Sequence, residues 1–288
     1  MISPKIVAAL AVLVGCTRPA GKPLTVRANS APESAFSATS TLISGDSDAI
    51  LVDAQFTLSS GSRVADWIQQ SGKRLTTVYI THGHPDHYFG LAPILAKFPN
   101  AEVLAAPDVI EELRGYAPQA LVQWKPLYGE DLPAEPVFPK PFSGGQITLE
   151  GQTIELIALQ PAESEHATAV WVPSSKTLIA GDAIFNGVHV WLAGVNAERR
   201  ENWLQNLERL RALGPTVVIA GHRAPGASDA PAVLDSTAQY VRDFSQAVAA
   251  SRRPEEVITR MRAAHPNRTL PVILELAAKS AFPAAAPR

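Results

Sequence analysis

Three imidazoles and a carboxylate fall within six residues of this chain, at His82, His84, Asp86 and His87. Neutral imidazole and carboxylate are the ligands that a borderline divalent cation such as Zn²⁺ takes. The apolar run Thr76 to Ile80 leads straight into the cluster and reads as a strand. His82 and His84, two positions apart, then point to one side. Gly83 lets the backbone pass close to whatever they bind. Pro85 ends the strand, and Asp86 and His87 project from the turn beyond. A lone histidine in an apolar setting is usually structural. Four potential ligands converging at one strand end are hard to explain except as a metal site.

The pattern His-x-His-x-Asp-His at a strand end resembles the signature of the metallo-β-lactamase-fold superfamily, over a stretch from about Thr41 to His222. The resemblance implies an α/β (α+β) fold, a four-layer αββα sandwich whose two sheets pack face to face, with two Zn²⁺ ions at one edge. It also implies later ligands at later strand ends. His166 resembles the third imidazole of the first site, beside His82 and His84. Asp182, in Ala180-Gly181-Asp182, resembles the carboxylate that bridges both metals. His222, in Ala220-Gly221-His222, resembles the last ligand of the second site, beside Asp86 and His87. Relatives that use iron for redox chemistry typically carry Glu where this chain has His84, so imidazole there favours zinc. In this reading two cations make hydroxide available at neutral pH and polarise the substrate. Asp86 orients that hydroxide and passes on its proton.

Other residues stay open between two roles. Asp53 either hydrogen-bonds a ligand histidine, fixing its tautomer, or is a strand-end turn carboxylate. His189, seven positions after Asp182, either donates a proton or hydrogen bond to the substrate or packs on Trp191. Trp124 and Tyr128 either face substrate or do not. Tyr88 and Phe89 read as core, and His265 as an inert residue at a helix end.

The elements that must position these groups alternate along the chain. Strands are expected at 40–43, 49–52, 76–80, 102–105, 146–149, 153–159, 169–172, 177–180 and 216–220. Helices are expected at 63–70, 91–98, 203–213, 232–250 and 254–264. That order predicts a layered domain with helices outside and sheets inside. The proline-rich stretch Pro118 to Pro141 is expected as an irregular loop, either a lid or ordinary surface. One catalytic domain is expected over 25–280, with a disordered tail at 281–288.

The first fifteen residues read as a signal peptide. Lys5 gives a positive start, and Ile6 to Val14 is too short to span a bilayer permanently. Leu13-Val14-Gly15-Cys16 resembles the bacterial lipoprotein signal, in which Cys16 is lipidated. Residues 16–24 then form a tether, and the product is an exported protein in the periplasm or on the cell surface. Its only contact with a membrane is that anchor. As the lone cysteine, Cys16 excludes an internal disulfide framework and any cysteine-rich zinc site. A formal net charge of -2 gives no reason to expect nucleic acid as a partner.

The function expected is hydrolysis of a small carbonyl compound: an ester, lactone, thioester or β-lactam. Asp182 counts against a dedicated β-lactamase, because true zinc β-lactamases usually lack an aspartate at the bridging position. The alternatives are a metal-dependent phosphodiesterase and a non-catalytic, metal-stabilised binding lipoprotein. Four arginines, at 252, 253, 260 and 262, read as a solvated face rather than a substrate site.

Overall fold

Alternation of apolar side chains along the strands sets the architecture. In β3 (Asp48–Val52), Leu51 joins a core shared with helices, whereas Ile50 and Val52 join a core between two sheets. In β4 (Arg74–Tyr79), Val78 and Tyr79 divide in the same way. Strands with both faces apolar must be covered on both sides. The computed structural model describes residues 22–282 and meets that demand with four layers. Residues 1–21, with the signal segment and Cys16, and the tail 283–288 lie outside the described residues.

The first sheet takes its strands in chain order: β1 (Thr25–Ser30), β2 (Thr39–Ser44), β3, β4, β5 (Glu102–Ala105) and β6 (Lys140–Pro141). β1 to β3 are antiparallel, and β3 to β6 are parallel. Parallel neighbours need crossovers. These are α1 (Leu58–Gln70), α2 (Leu91–Lys97) and α3 (Pro107–Tyr128), which cover the outer face.

The second sheet is built from β7 (Gln146–Leu149), β8 (Gln152–Ala158), β9 (Thr168–Val172) and β10 (Thr177–Ile179). A short β11 (Phe185–Asn186) then leaves the sheet, and α4 (Ala197–Arg211) leads back to β12 (Val217–Ile219) beside β10. β13 (His222–Arg223) pairs in parallel with β11. Three further helices, α5 (Ala232–Ala249), α6 (Pro254–Ala264) and α7 (Pro271–Ser280), join α4 in covering the outer face. Inner-face residues Val170, Val172, Ile179 and Ile219 meet Ile43, Ile50, Val52 and Tyr79 of the first sheet. The result is the expected αββα sandwich. Among the described residues, no helix is long and apolar enough to cross a membrane.

One expected loop is half helix. α3 runs through Pro118 and Pro126 to Tyr128, so Pro118 to Pro141 begins as regular structure. Proline costs a helix its own N–H bond and crowds the carbonyl four residues back. Both prolines here lie on the exposed side, where water can satisfy those carbonyls, while Val109, Ile110, Leu113, Ala117 and Ala120 bury a helical stripe. Burial of that stripe outweighs two broken bonds. α7, β1, the first half of α3 and the two-residue strands β6, β11 and β13 have no counterpart among the expected elements, and Leu270 enters α7 with a left-handed backbone.

Candidate metal centre

β4 delivers Thr81 and His82 to the seam between the sheets. The Thr81 carbonyl accepts from the Thr168 amide at 2.9 Å, and His82 bridges to Ala167, so both sheets fix this strand end. A 3₁₀ turn at Pro85–His87 follows and turns Asp86 and His87 back towards His82. Asp182 sits in a second 3₁₀ turn, Gly181–Ala183, after β10. His222 opens β13, its ring stacked on Phe185 with centroids 4.9 Å apart.

Gly221 must lack a side chain for these turns to meet. A Cβ there would lie 2.1 Å from Asp182 Oδ1 and 2.6 Å from the Gly181 carbonyl carbon. The Gly221 amide instead donates to the Gly181 carbonyl at 2.8 Å.

Hydrogen bonds set the tautomers of three ligand candidates. Asp53 Oδ2 accepts from Thr81 Oγ1 at 2.9 Å, so that hydroxyl is free to accept from His82 Nδ1–H, also at 2.9 Å. His87 Nδ1–H donates to Asp53 Oδ2 at 2.9 Å, and His222 Nδ1–H donates to the Phe36 carbonyl at 2.7 Å. Each neutral ring therefore presents a bare Nε2 to the centre. Asp53 thus hydrogen-bonds one candidate ligand histidine, His87, directly and reaches a second, His82, through Thr81. Its backbone is left-handed (φ 60°), as are those of Phe36, Ser37 and Gln55. Strain of this kind in non-glycine residues clusters at functional sites.

Asp182 is the hub. Its Oδ2 lies 3.2 Å from His222 Nε2, 3.5 Å from His82 Nε2 and 3.8 Å from His84 Nδ1. Its Oδ1 lies 3.1 Å from His87 Nε2. His222 Nε2 also lies 3.4 Å from Asp86 Oδ2. Donor atoms fall into three groups: Asp53–His82–His87, and two that face each other across Asp182, His82–His84–Glu163–Asp182 and Asp86–His87–His222. Asp182 touches members of both of the latter, one carboxylate oxygen towards His87 and the other towards His82, His84 and His222.

His166 does not take part. It is exposed, belongs to none of these groups, and its amide donates to Glu112 Oε2 at 3.1 Å. Glu163, three residues earlier, stands in its place, with Oε1 2.9 Å from His84 Nδ1. The loop is pinned by α4: Arg199 donates to the carbonyls of Ala162 and Glu163, and Asn206 brackets Gln160 through both its N–H and its carbonyl. The Ser164 hydroxyl fixes Glu163 Oε2 at 2.6 Å, leaving Oε1 for the centre.

His189 is also elsewhere. It is buried under the second sheet's helices, with Nδ1 2.8 Å from the Tyr240 hydroxyl, and it lines no part of the site's pocket. Its amide binds the Thr269 carbonyl, so the chain turns away from the metals before it reaches position 189. Tyr88 and Phe89 are core as expected, and His265 caps α6 against Asp243.

Electrostatics show what the cluster lacks. Burial opposes protonation of His84, yet Glu163 and Asp182 overcome it and raise its pKa well above the ordinary value. Asp182 and Asp53 do the same for His87, and Asp182 and Asp86 raise the pKa of His222 above its ordinary value. Burial would raise the Asp182 pKa, but His222, His87 and His82 hold it well below the usual carboxylate range. His82 Nε2, His87 Nε2, Glu163 Oε1 and Asp182 Oδ1 are buried and make no well-formed hydrogen bond, although Glu163 Oε1 and Asp182 Oδ1 each lie close to an imidazole nitrogen. Buried lone pairs left unpaired are costly. Cations among them would satisfy all four, so the donor set fits a metal pair.

His84, Asp86, Asp182 and His222 of this cluster lie on the floor of an open pocket with about 470 Å³ of atom-free space, its mouth included. Phe36, Phe56, Tyr116, Trp124 and Trp191 rise around it.

Residues 34–222 match the family model of the metallo-β-lactamase superfamily. The chain belongs to that superfamily. Two curated relatives are hydroxyacylglutathione hydrolases. One, from Synechococcus sp. (strain CC9605), is 28% identical over 153 residues, 51% of this chain and 53% of that protein. The other, from Parasynechococcus marenigrum (strain WH8102), is 25% identical over 130 residues, 43% of each chain. The chain thus spans about half the length of the curated relatives it matches. Among solved structures, a metallo-β-lactamase family protein from Thermus thermophilus aligns with a TM-score of 0.61 at 20% identity, covering 90% of this chain and 91% of that one. The metallo-β-lactamase from Pontibacter korlensis aligns at 0.55 and 16%, covering 76% and 94%. At such identities the likeness is one of fold. The superfamily's mixed α/β sandwich is the fold seen here.

Proposed function

We propose that this chain is a metal-dependent hydrolase that holds two zinc ions and cleaves a small carbonyl compound, with esters, lactones and thioesters favoured. The observation that carries the reading is the set of four buried donor atoms without a well-formed hydrogen bond, on or beside Asp182, which itself lines the floor of a pocket open to solvent. A purely structural zinc would need no such opening. His82, His84 and Glu163 would hold one ion, Asp86, His87 and His222 the other, and Asp182 both. This set has four imidazoles and three carboxylates, one nitrogen fewer than the sequence alone suggests. Zinc accepts such mixed sets.

What the cations supply when bound is Lewis acidity and a water acidified towards neutral pH. The chain's own residues do the rest. Asp86 lines the pocket and is partly open to it, so its free oxygen can accept a proton from water and return it to a leaving group. Asp53 keeps the His87 ring oriented, and Phe36 does so for His222. The aromatic walls exclude bulk water, which strengthens each charge interaction within. The names of the two curated relatives support a thioester among the substrates.

A side-by-side assay of a lactone, a thioester, a β-lactam and bis-p-nitrophenyl phosphate tests this reading. Lactone or thioester turnover that a chelator abolishes and Zn²⁺ restores is expected. Turnover confined to the phosphodiester would replace the carbonyl reading. Absence of any turnover by protein carrying two zinc ions would leave a binding protein instead. The signal-like segment supports export and lipid attachment at Cys16. A Cys16→Ser variant should leave the membrane fraction, and its retention there would contradict the anchor.

A further inference from the structure

Apart from the Tyr116 hydroxyl and the indole N–H groups of Trp124 and Trp191, the polar side chains of the pocket lie on its floor. Above His84, Asp86, Asp182 and His222 the walls are Phe36, Phe56, Trp124, Phe185, Trp191 and Ile273, and no Lys or Arg is among the lining residues. Phe36, Phe56 and Trp124 brace one another, with ring centroids 5.2 Å (Phe36–Trp124), 5.7 Å (Phe36–Phe56) and 5.8 Å (Phe56–Trp124) apart. Edge-to-face and tilted packing of this kind holds a wall in place before any ligand arrives. Trp191 faces them across the floor, its ring 6.4 Å from that of His84.

The wall is assembled from distant parts of the chain, and one part comes from outside the family segment. Ile273 belongs to α7, well beyond the matched stretch that ends at residue 222. Tyr116 and Trp124 lie two helical turns apart on one stripe of α3, the helix that continues through two prolines. Phe36 contributes its ring from a strained left-handed residue (φ 59°) whose carbonyl also fixes His222. The apolar wall and the metal floor are therefore one construction.

An anionic or strongly polar arm on the substrate would find no Lys or Arg in these walls and few hydrogen-bonding groups. An apolar arm would exchange water for aromatic contact. Accepting the hydrolase reading, we propose that the substrate carries an uncharged aromatic or bulky aliphatic arm beside its reacting carbonyl. The arm seats between Trp124 and Trp191, and Trp124 sets the preference.

Two measurements test this, and only one needs turnover. In the first, metal-free protein is titrated with 4-phenyl-2-butanone and with 4-hydroxy-2-butanone, two neutral ketones differing in the arm. Tryptophan fluorescence reports binding. The phenyl ketone should bind at least tenfold tighter. Trp124→Ala should remove most of that difference, and Trp124→Phe should restore it in part. Equal binding of the two ketones, or an unchanged difference in folded Trp124→Ala, overturns the proposal. In the second, p-nitrophenyl esters of 4-phenylbutanoate, 4-methoxybutanoate and adipate are compared on zinc-loaded enzyme, with the uncatalysed rate subtracted. At least tenfold higher kcat/KM for the phenyl ester is expected, and equal or inverted rates overturn the proposal. Selective ketone binding with no turnover of any ester would sink the hydrolase reading while leaving the apolar cage standing.

Discussion

His189 lies beneath the helices rather than at the metals, and that location makes a quantitative claim. Burial lowers its pKa from 6.5 to about 4, helped by the positive charge of Arg268, His265 and Arg262. A histidine depressed in the folded state is charged in the unfolded chain over a pH range where the folded chain keeps it neutral. The unfolded state then binds more protons, so stability rises with pH across that range. The contribution is fully present above about pH 6.5 and is lost as pH falls towards about 4. The full span is about 3 kcal/mol, and about 2 kcal/mol of it is gone by pH 5. The residue also matters for the pocket, because it anchors the segment that carries Trp191 at its far end. Urea unfolding of metal-free wild type and His189→Gln at pH 7.5 and pH 5 measures the effect. The raised histidines of the metal cluster titrate in both proteins and cancel in the comparison. Wild type should lose about 2 kcal/mol more than the variant on acidification. Equal losses in both proteins would mean that His189 is not held neutral, and the account of its burial would be wrong.

The remaining expectations concern the centre itself. Glu163→Ala should weaken metal binding by at least about 100-fold, beyond what an outer partner costs, whereas exposed His166→Ala should change it less than about twofold. Competition with a chromophoric chelator decides between them, and the reverse ranking would return His166 to the ligand set. Asp53→Asn removes an acceptor from both Thr81 and His87 and should cost about 10- to 100-fold in zinc affinity by the same titration; wild-type affinity would refute its role. Gly221→Ala forces a Cβ against Asp182 and should destabilise by at least about 2 kcal/mol and lower metal content together. An unchanged urea midpoint with full metal would contradict the close approach seen here.

Much of the site is legible in the sequence because its spacing is local. His82, His84, Asp86 and His87 follow one strand end, and alternation plus a proline fixes where they point. Asp182 and His222 are legible only through the family resemblance, which directs attention to the ends of later strands; each stands three residues past one. The helices and strands with strong periodicity, such as β5, β7 and α6, have the bounds that pattern implies. What is not legible depends on long-range packing. Pro118 and Pro126 are breakers by local chemistry, and only the buried stripe of α3 overrules them. His189 is close to Asp182 in sequence, but the Thr269 carbonyl captures its backbone from the far end of the chain.

The exchange of Glu163 for His166 shows where pattern reading stops. Both residues lie in one short loop between β8 and β9, and either could be a ligand by type. The choice is made from outside the loop, by Arg199, Asn202 and Asn206 on α4, which hold the carbonyls of Pro161, Ala162, Glu163 and Gln160. Held so, residue 163 faces inward and residue 166 outward. A carboxylate there also changes the charge balance of the centre. With Glu163, Asp182, Asp86 and the nearby Asp53, the cluster is more negative than the histidine-rich set that the sequence pattern suggests. In the metal-free chain the raised pKa values of His84, His87 and His222 are the protein's own partial answer to that charge. Divalent cations answer it more fully, since they pair with the carboxylates and with the unprotonated Nε2 atoms at once. Protons and metals must therefore compete for this centre, and metal binding should release protons as it proceeds.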